Sequence, residues 1–342
     1  MKAARIHNYG GPEALRYEEA PDPAFEPDEI LLRVRACALN HLDLWVRRGL
    51  PGLSPSMPHI LGSDIAGEVA ACGARRRRLS PGQRVLLAPA VSCRQCEACL
   101  SGRDNECRHY AIWGAAIPGG NCELMAVPEW AAIPIPDNLS FEQAAAVPLV
   151  FLTAWHMLAR RAALQLGEDV LVLGASSGVG SAAVQIAKLF HCRVIATAGG
   201  EEKLDKAKRI GADHAIDHYR QDIAAEVKRF TGGRGVDVVI EHTGSATWAA
   251  SLSSLAPGGR LVTCGATTGY EASIDLRRLF VKRQTLSGSF MGTLGDLHQV
   301  LKFVFRGQLK PVIDQVFPLS EIRAAHERLE RHEHFGKVVV AI

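Results

Sequence analysis

Neither sign of charge prevails in this chain. Lys and Arg number 39 against 36 Asp and Glu over 342 residues, which argues against a dedicated nucleic-acid binder. No apolar run approaches the ~20 residues that a transmembrane helix needs. The start, Met1-Lys2-Ala3-Ala4-Arg5-Ile6-His7, lacks the apolar centre of a signal peptide. These absences predict a cytoplasmic protein with neither membrane nor nucleic acid as a partner. Internal repeats and low-complexity tracts are missing too. A composition of 47% hydrophobic and 22% charged residues excludes disordered and collagen-like chains. At ~150 residues per domain the length favours two domains. One local excess, Arg75 to Arg78, runs into Ser80-Pro81-Gly82 and reads as a solvated turn.

Cysteine is odd in number, nine in all, which does not suit a disulfide framework. Cys37, Cys72, Cys122, Cys192 and Cys264 are scattered, whereas Cys93, Cys96, Cys99 and Cys107 cluster. Four thiolates complete a tetrahedral shell, which suits zinc and leaves no position open for a substrate. An iron–sulfur cluster is the competing reading of so tight a run. The longer gap before Cys107, and Arg108 rather than proline after it, favour one structural zinc per chain.

The texture of the chain changes near residue 150. Before it, short apolar runs such as Ile30–Ala36 and Val85–Ala88 alternate with breakers such as Pro51-Gly52, Pro55 and Pro58, the pattern of a β-rich domain without long helices. After it, Val170–Leu173 is a wholly apolar run, typical of a buried parallel strand. A helix is predicted over Val179–Phe190, a strand over Arg193–Thr197 and a helix over Glu201–Ile210. A strand at Val236–Ile240, a helix near Ala246–Leu255, a turn at Pro257-Gly258-Gly259 and a strand at Leu261–Cys264 continue the alternation. Strands alternating with helices imply an α/β, doubly wound parallel sheet. The tail, Leu297 to Ile342, reads as a helix, a break at Pro311, a helix around Ile322–Leu329 and a strand Val338–Val340.

Leu173-Gly174-Ala175-Ser176-Ser177-Gly178-Val179-Gly180 joins the first buried strand to its helix. Small residues there let the backbone approach a pyrophosphate, and a helix N-terminus supplies free N–H groups and a positive dipole end. Ala175 and Ser177 stand where the first two glycines of the strict dinucleotide pattern belong, and Gly180 matches the third. The strand before, the helix after and a second strand ending about 20 residues on favour dinucleotide binding over a structural turn. That second strand ends at Ala198, not at the acidic residue that would bind the ribose of NAD and repel a 2′-phosphate. With Lys203 following, NADP(H) is favoured over NAD(H), although Glu201 and Glu202 weaken the case.

The chain resembles the medium-chain dehydrogenase/reductase superfamily essentially end to end. The likeness rests on Gly10-Gly11-Pro12-Glu13, Asn40-His41-Leu42-Asp43, the four-cysteine lobe, Leu152-Thr153-Ala154-Trp155, Ala175 to Gly180, Gly265-Ala266 and Gly336-Lys337-Val338-Val339. The resemblance implies a GroES-like β-rich catalytic domain over 1–150 with a zinc lobe at 90–110. It implies a Rossmann domain over 151–292 and a C-terminal segment, 293–342, completing the first domain. It also implies hydride transfer with a nicotinamide cofactor held by Ala175, Ser176, Ser177, Gly178, Val179, Gly180, Ala198, Lys203, Gly265 and Ala266. Homodimers (or tetramers) would form through an edge strand near Gln284–Phe290.

The departures bear on chemistry. Zinc alcohol dehydrogenases of the superfamily hold a second, catalytic zinc by a cysteine after the early strand, a histidine in a Gly-His-Glu triplet, and a cysteine or aspartate before the Rossmann domain. Here those places read Asn40, Gly62-Ser63-Asp64 and Pro148-Leu149, which are poor ligands for a first-row metal. In this the chain looks like the quinone oxidoreductase and enoyl reductase branches, which usually lack the cysteine lobe. Without a Lewis acid, hydrogen bonds must steady the developing charge. The expected catalytic residues are Asn40 as an amide donor, Asp43 as an orienting group and Thr153 beside the nicotinamide. His41 and His59 are candidate proton donors by type, and Trp45 a pocket wall. The leading function is reduction of an activated C=C bond in a quinone, enone or enoyl thioester. The alternatives are an alcohol dehydrogenase or carbonyl reductase working with protein donors alone, and a non-catalytic dinucleotide-binding protein.

Overall fold

The computed structural model describes residues 1–75 and 78–342. Arg76 and Arg77, the middle of the expected arginine turn, lie outside the described residues. Arg78 is exposed, and its guanidinium donates to the carbonyls of Glu129 and Ala132. The chain forms two units, one made of Met1–Leu149 with Thr293–Ile342 and the other of Val150–Gly292.

The first unit is built on a strand, Glu29–Ala38, whose apolar residues alternate inward while Arg33 and Arg35 face out. It pairs antiparallel with Asp64–Cys72 on one side and with Leu124–Pro128 and Lys337–Ala341 along the other. The sheet continues outward through Arg84–Leu87 to Ala132–Pro134, and through Lys337–Ala341 to Ile313–Pro318. Ile30, Leu32, Val34, Ile65, Val69, Val85, Leu87 and Val127 fill its interior. Phe141–Ala145 packs against Glu29–Ala38 and Asp64–Cys72, and Ile322–Glu330 against Lys337–Ala341 and His41–Arg48.

The second unit is a six-stranded parallel sheet. Its order is His214–Asp217, Arg193–Ala198, Asp169–Val172, Val236–Glu241, Leu255–Thr263, Thr285–Gly288. Every residue of Asp169–Val172 is buried, as expected for a central strand covered on both faces. Helices Gly178–Leu189, Glu201–Arg209, Ile223–Phe230 and Ser245–Ser254 connect the strands. This is the predicted doubly wound α/β arrangement, in a chain that also holds a β-rich, GroES-like domain.

One local expectation fails. Pro257-Gly258-Gly259 is not a turn before a strand but lies within Leu255–Thr263. The strand leaves register there, pairing Val236 with Leu255 but Val238 with Arg260. Gly258 takes φ +76, and its N–H is spent on the Lys282 carbonyl, so the breakers make a bulge. The edge strand, expected near Gln284–Phe290, runs Thr285–Gly288 and pairs only with Leu255–Thr263. No helix among the described residues is long and apolar enough to cross a membrane.

Candidate functional site

The strand Glu29–Ala38 delivers Asn40 to the start of the helix His41–Arg48. Asp43, in that helix's first turn, reaches back to accept from Asn40 N at 2.7 Å and also accepts from Gly62 N at 2.8 Å. It thereby ties the helix start to the loop that carries the Gly62-Ser63-Asp64 triplet. Asp43 is 1% exposed. Burial pushes its carboxyl up to about 6, against the pull of those two N–H groups and of Lys337.

The Asn40 side chain, by contrast, turns inward. Its Nδ2 donates to Asp64 Oδ2 at 2.9 Å and leans on the Ala38 carbonyl at 3.5 Å, while Lys337 Nζ sits 2.6 Å from its Oδ1. Lys337 Nζ also meets Asp64 Oδ2 at 2.7 Å, and Asp64 Oδ1 accepts from Leu149 N at 2.6 Å. Asp64 is 0%, Lys337 3% and Asn40 7% exposed. A buried ammonium, a buried carboxylate and a buried amide thus satisfy one another, as burial of charge demands. The expectation of Asn40 as a free amide donor does not match this arrangement, because its hydrogens already have acceptors inside the protein.

The same knot answers whether a catalytic zinc suits this place. The first ligand position offers an amide oxygen already bonded to an ammonium. The second offers Ser63, whose hydroxyl donates to the Trp113 carbonyl at 2.7 Å. The third, Leu149, presents a backbone N–H to Asp64. A dication beside the Lys337 ammonium would be repelled by it. The residues present do not fit a catalytic metal.

His59 is 2% exposed, and burial holds its pKa below the ordinary value. His41 stacks its ring on His332, with centroids 5.7 Å apart at 15°, and Trp45 stands 6.3 Å away.

The cysteine lobe fits zinc. The sulfurs of Cys93, Cys96, Cys99 and Cys107 all lie within 4.8 Å of one another. The separations are 3.5 Å for Cys96–Cys99, 3.5 Å for Cys93–Cys107 and 3.9 Å for Cys93–Cys99. A tetrahedron with Zn–S of about 2.3 Å calls for about 3.8 Å between sulfurs. His109 N points at Cys107 Sγ from 3.4 Å, the kind of outer contact that steadies a thiolate. Among the described residues this is the one group of three or more His, Cys, Asp and Glu side chains placed to hold a metal.

In the second unit, the strand Asp169–Val172 leads through Gly174 at φ +57 into the helix Gly178–Leu189. Ser177 caps that helix, its Oγ accepting from Gly180 N at 2.8 Å. A Cβ on Gly180 would lie 2.2 Å from the Gly174 carbonyl oxygen, so a glycine is required for the helix to sit this close to the strand. The loop is anchored at its base by Gly174 N on Thr197 Oγ1 and Ala175 N on the Thr197 carbonyl. A helix N-terminus offers unpaired N–H groups and a positive dipole end, which suit a phosphate.

Beyond Arg193–Ala198 the buried Ala198 is followed by Gly199 and Gly200, and Lys203 lies in the first turn of Glu201–Arg209. Glu202 is engaged with Lys206 at 2.5 Å. His218 lies beside this corner: burial, with the nearby Lys203 charge adding to it, holds its pKa down. Gly265 and Ala266 close the far side, where a Cβ on Gly265 would lie 3.0 Å from the His242 carbonyl oxygen. Thr153, on the helix Pro148–Trp155, is 4% exposed. Its hydroxyl has no hydrogen-bond partner among the described residues. Two residues escaped the sequence reading as site residues. Lys337 had a signal, a charged residue opening an apolar strand, which must find a partner. His242, after the strand Val236–Glu241, had none.

Comparison with known proteins agrees with this architecture. The family described as alcohol dehydrogenase GroES-like domain matches residues 26–137, and that described as zinc-binding dehydrogenase matches residues 178–306. A quinone oxidoreductase of Pseudomonas aeruginosa is 33% identical over 99% of both chains. An NAD-dependent alcohol dehydrogenase of Sulfolobus acidocaldarius is 32% identical over the full length of both. Among solved structures, an NAD-dependent alcohol dehydrogenase superposes over all of both chains with TM-score 0.97 and 44% identity. A crotonyl-CoA carboxylase/reductase in complex with NADP covers 100% of this chain and 95% of its own, with TM-score 0.92 and 26% identity. A GroES-like unit, a cysteine lobe and a Rossmann unit in one chain, matched end to end by such relatives, make it a member of the medium-chain dehydrogenase/reductase superfamily, an oxidoreductase of the zinc-type alcohol dehydrogenase and quinone oxidoreductase group.

Proposed function

We propose that the protein uses NADPH to reduce an activated C=C bond, in a quinone, enone or enoyl thioester, without a catalytic metal. The observation that carries this is the buried knot of Lys337, Asp64 and Asn40, in which Asn40, at the first place where zinc alcohol dehydrogenases keep a metal ligand, is bonded to an ammonium instead. A conjugated acceptor suits such a site, because hydride adds to carbon while the negative charge spreads to a distant oxygen that hydrogen bonds can steady. The Thr153 hydroxyl, buried and without a partner among the described residues, is the donor this reading assigns to cofactor or substrate. Asn40 and Asp43 serve as positioning groups. The cysteine lobe holds one zinc that supports the fold. The homodimer of this reading forms through the open edge Thr285–Gly288, near which Phe280, Val281 and Phe290 are exposed.

The test is nucleotide consumption with quinone, enone, enoyl-thioester and aldehyde panels. Turnover of the first three with little on aldehydes or alcohols is the expected result. Preferred turnover of alcohols or aldehydes would transfer the assignment to a carbonyl reductase, and silence across all panels to a dinucleotide-binding protein. On the best substrate, Thr153→Ala should lower kcat/KM about tenfold to a hundredfold, equivalent to ~1.4–2.7 kcal/mol of lost transition-state stabilisation. Unchanged kcat/KM would remove Thr153 from the site.

The cofactor preference is argued separately. Ala198 leaves no carboxylate to repel a 2′-phosphate, and Lys203 stands in the first turn just beyond it. NADPH should bind more tightly than NADH. Lys203→Ala should weaken NADPH by about 1–3 kcal/mol, as for loss of a charged hydrogen bond, and leave NADH nearly unchanged. Titrating both nucleotides into both proteins decides this, and equal affinities in the wild type would overturn it.

A further inference from the structure

The phosphate loop carries a titratable ring that the reading above leaves without a role. His242 follows the strand Val236–Glu241, which lies beside Asp169–Val172 in the sheet. There the strand order reverses direction, opening the crevice in which doubly wound sheets bind their ligands. His242 Nε2 lies 3.3 Å from Ser177 Oγ. A Cβ on Gly174 would stand 3.1 Å from His242 Cε1. The ring therefore leans on both residues that bracket Ala175-Ser176.

In the neutral tautomer that carries its hydrogen on Nδ1, His242 Nε2 is an acceptor 3.3 Å from Ser177 Oγ. Ser177 Oγ already accepts from Gly180 N, and its single hydrogen goes to His242 Nε2. In that state the hydroxyl at the mouth of the loop has nothing left to donate to a phosphate.

We propose that His242 takes up one proton from solvent when a dinucleotide pyrophosphate settles on Ala175–Gly180. The proton reverses the hydrogen bond with Ser177, and the freed hydroxyl donates to a phosphate oxygen. The inference rests on the loop being a dinucleotide site.

The surrounding charges favour this order of events. Burial holds the His242 pKa below its usual value in the free protein, with Glu241 opposing. From its own strand comes the charge of Glu241, whose carboxylate is already held by Thr243 N, Gly244 N, Thr247 Oγ1 and Ser251 Oγ. From the next strand, Cys264 contributes a thiol pushed up to about 12 by burial, hence neutral. From the loop and its helix comes Ser177, and the basic residue of that helix, Lys188, lies in its last turn. The positive end of the helix also disfavours a charged ring. A pyrophosphate cancels that field and adds negative charge within reach of Nε2, which favours the imidazolium.

Calorimetric titration of the full chain in buffers of different ionisation enthalpy reads the proton count directly. NADH is the probe, because it lacks the 2′-phosphate whose own ionisation near pH 6 would confuse the count. A substantial fraction of a proton should be taken up per NADH near pH 7, and affinity should rise several-fold from pH 8 to pH 6, as linkage requires. In His242→Gln the uptake should vanish and the affinity become flat with pH. In Ser177→Ala the uptake should persist while affinity falls several-fold at every pH. Wild-type binding of NADH without proton uptake overturns the proposal, as does full uptake retained in His242→Gln. Failure of the wild type to bind NADH or NADPH at all overturns the dinucleotide reading itself, and this proposal with it.

Discussion

Replacing Lys337 by methionine should cost about 3–5 kcal/mol of stability, the usual penalty for leaving one charge of a buried pair unpaired. Asp64 is 0% exposed, and without the ammonium its carboxylate would keep only the Asn40 amide and the Leu149 N–H as partners. Urea unfolding followed by far-UV circular dichroism reads the loss. The double variant Lys337→Met with Asp64→Leu should recover only part of the stability: it leaves no charge to satisfy, but the Asn40 amide and the Leu149 N–H lose their acceptor. A single variant as stable as the wild type would mean that solvent, not Lys337, compensates Asp64.

The second large effect concerns the cysteine lobe. Protein purified without added metal should contain one zinc per chain. Cys99→Ser should lose it, because a three-thiolate shell is a far weaker site at neutral pH. Structural zinc in small sites binds with on the order of 10 kcal/mol of free energy that is also folding free energy. The loss should therefore appear as a lower melting temperature and as rapid proteolysis within 93–107. Turnover per folded molecule should survive, since the four sulfurs close the coordination shell. Two zincs per chain, or a metal whose removal stops turnover in an intact fold, would contradict the argument from Lys337, Asn40 and Ser63.

How much of this was legible in the sequence depends on the distance over which each feature is decided. The helix Gly178–Leu189 and the strand Asp169–Val172 were readable because apolar periodicity is local. The cysteine lobe was readable because its ligands lie within 15 positions of one another, Cys93 to Cys107. Pro257-Gly258-Gly259 was misread as a turn because a bulge uses the same residues, and only the neighbouring strand decides between them. Asn40 was picked out as a site residue, but the helix His41–Arg48 that it opens was not foreseen. The hydrogen-bond partners of Asn40 were hidden, since one of them, Lys337, lies 297 positions away. His242 gave no signal because its meaning comes from Ser177, 65 positions earlier, across a sheet whose order had first to be known. Chemistry carried by one segment shows in a sequence, whereas chemistry assembled from several shows only once the strands are paired.

The discontinuous make-up of the first unit sets the order in which a ribosome can deliver its parts. The strand Lys337–Ala341 closes the sheet between Glu29–Ala38 and Ile313–Pro318. Its Lys337 is synthesised 273 positions after the Asp64 it neutralises. Until it emerges, the edge of Glu29–Ala38 stays open over Ala36–Ala38 and the Asp64 carboxylate lacks its cation. The Val150–Gly292 unit suffers no such delay, because all six of its strands come from one continuous stretch. Synthesis from the N-terminus ordinarily lets the first domain fold first. Here the later-made unit is ready earlier, and the β-rich unit must wait with an unpaired strand edge exposed, the kind of surface that invites wrong pairing. Nascent chains of this protein are therefore most vulnerable to aggregation between the completion of the Rossmann unit and the arrival of Lys337.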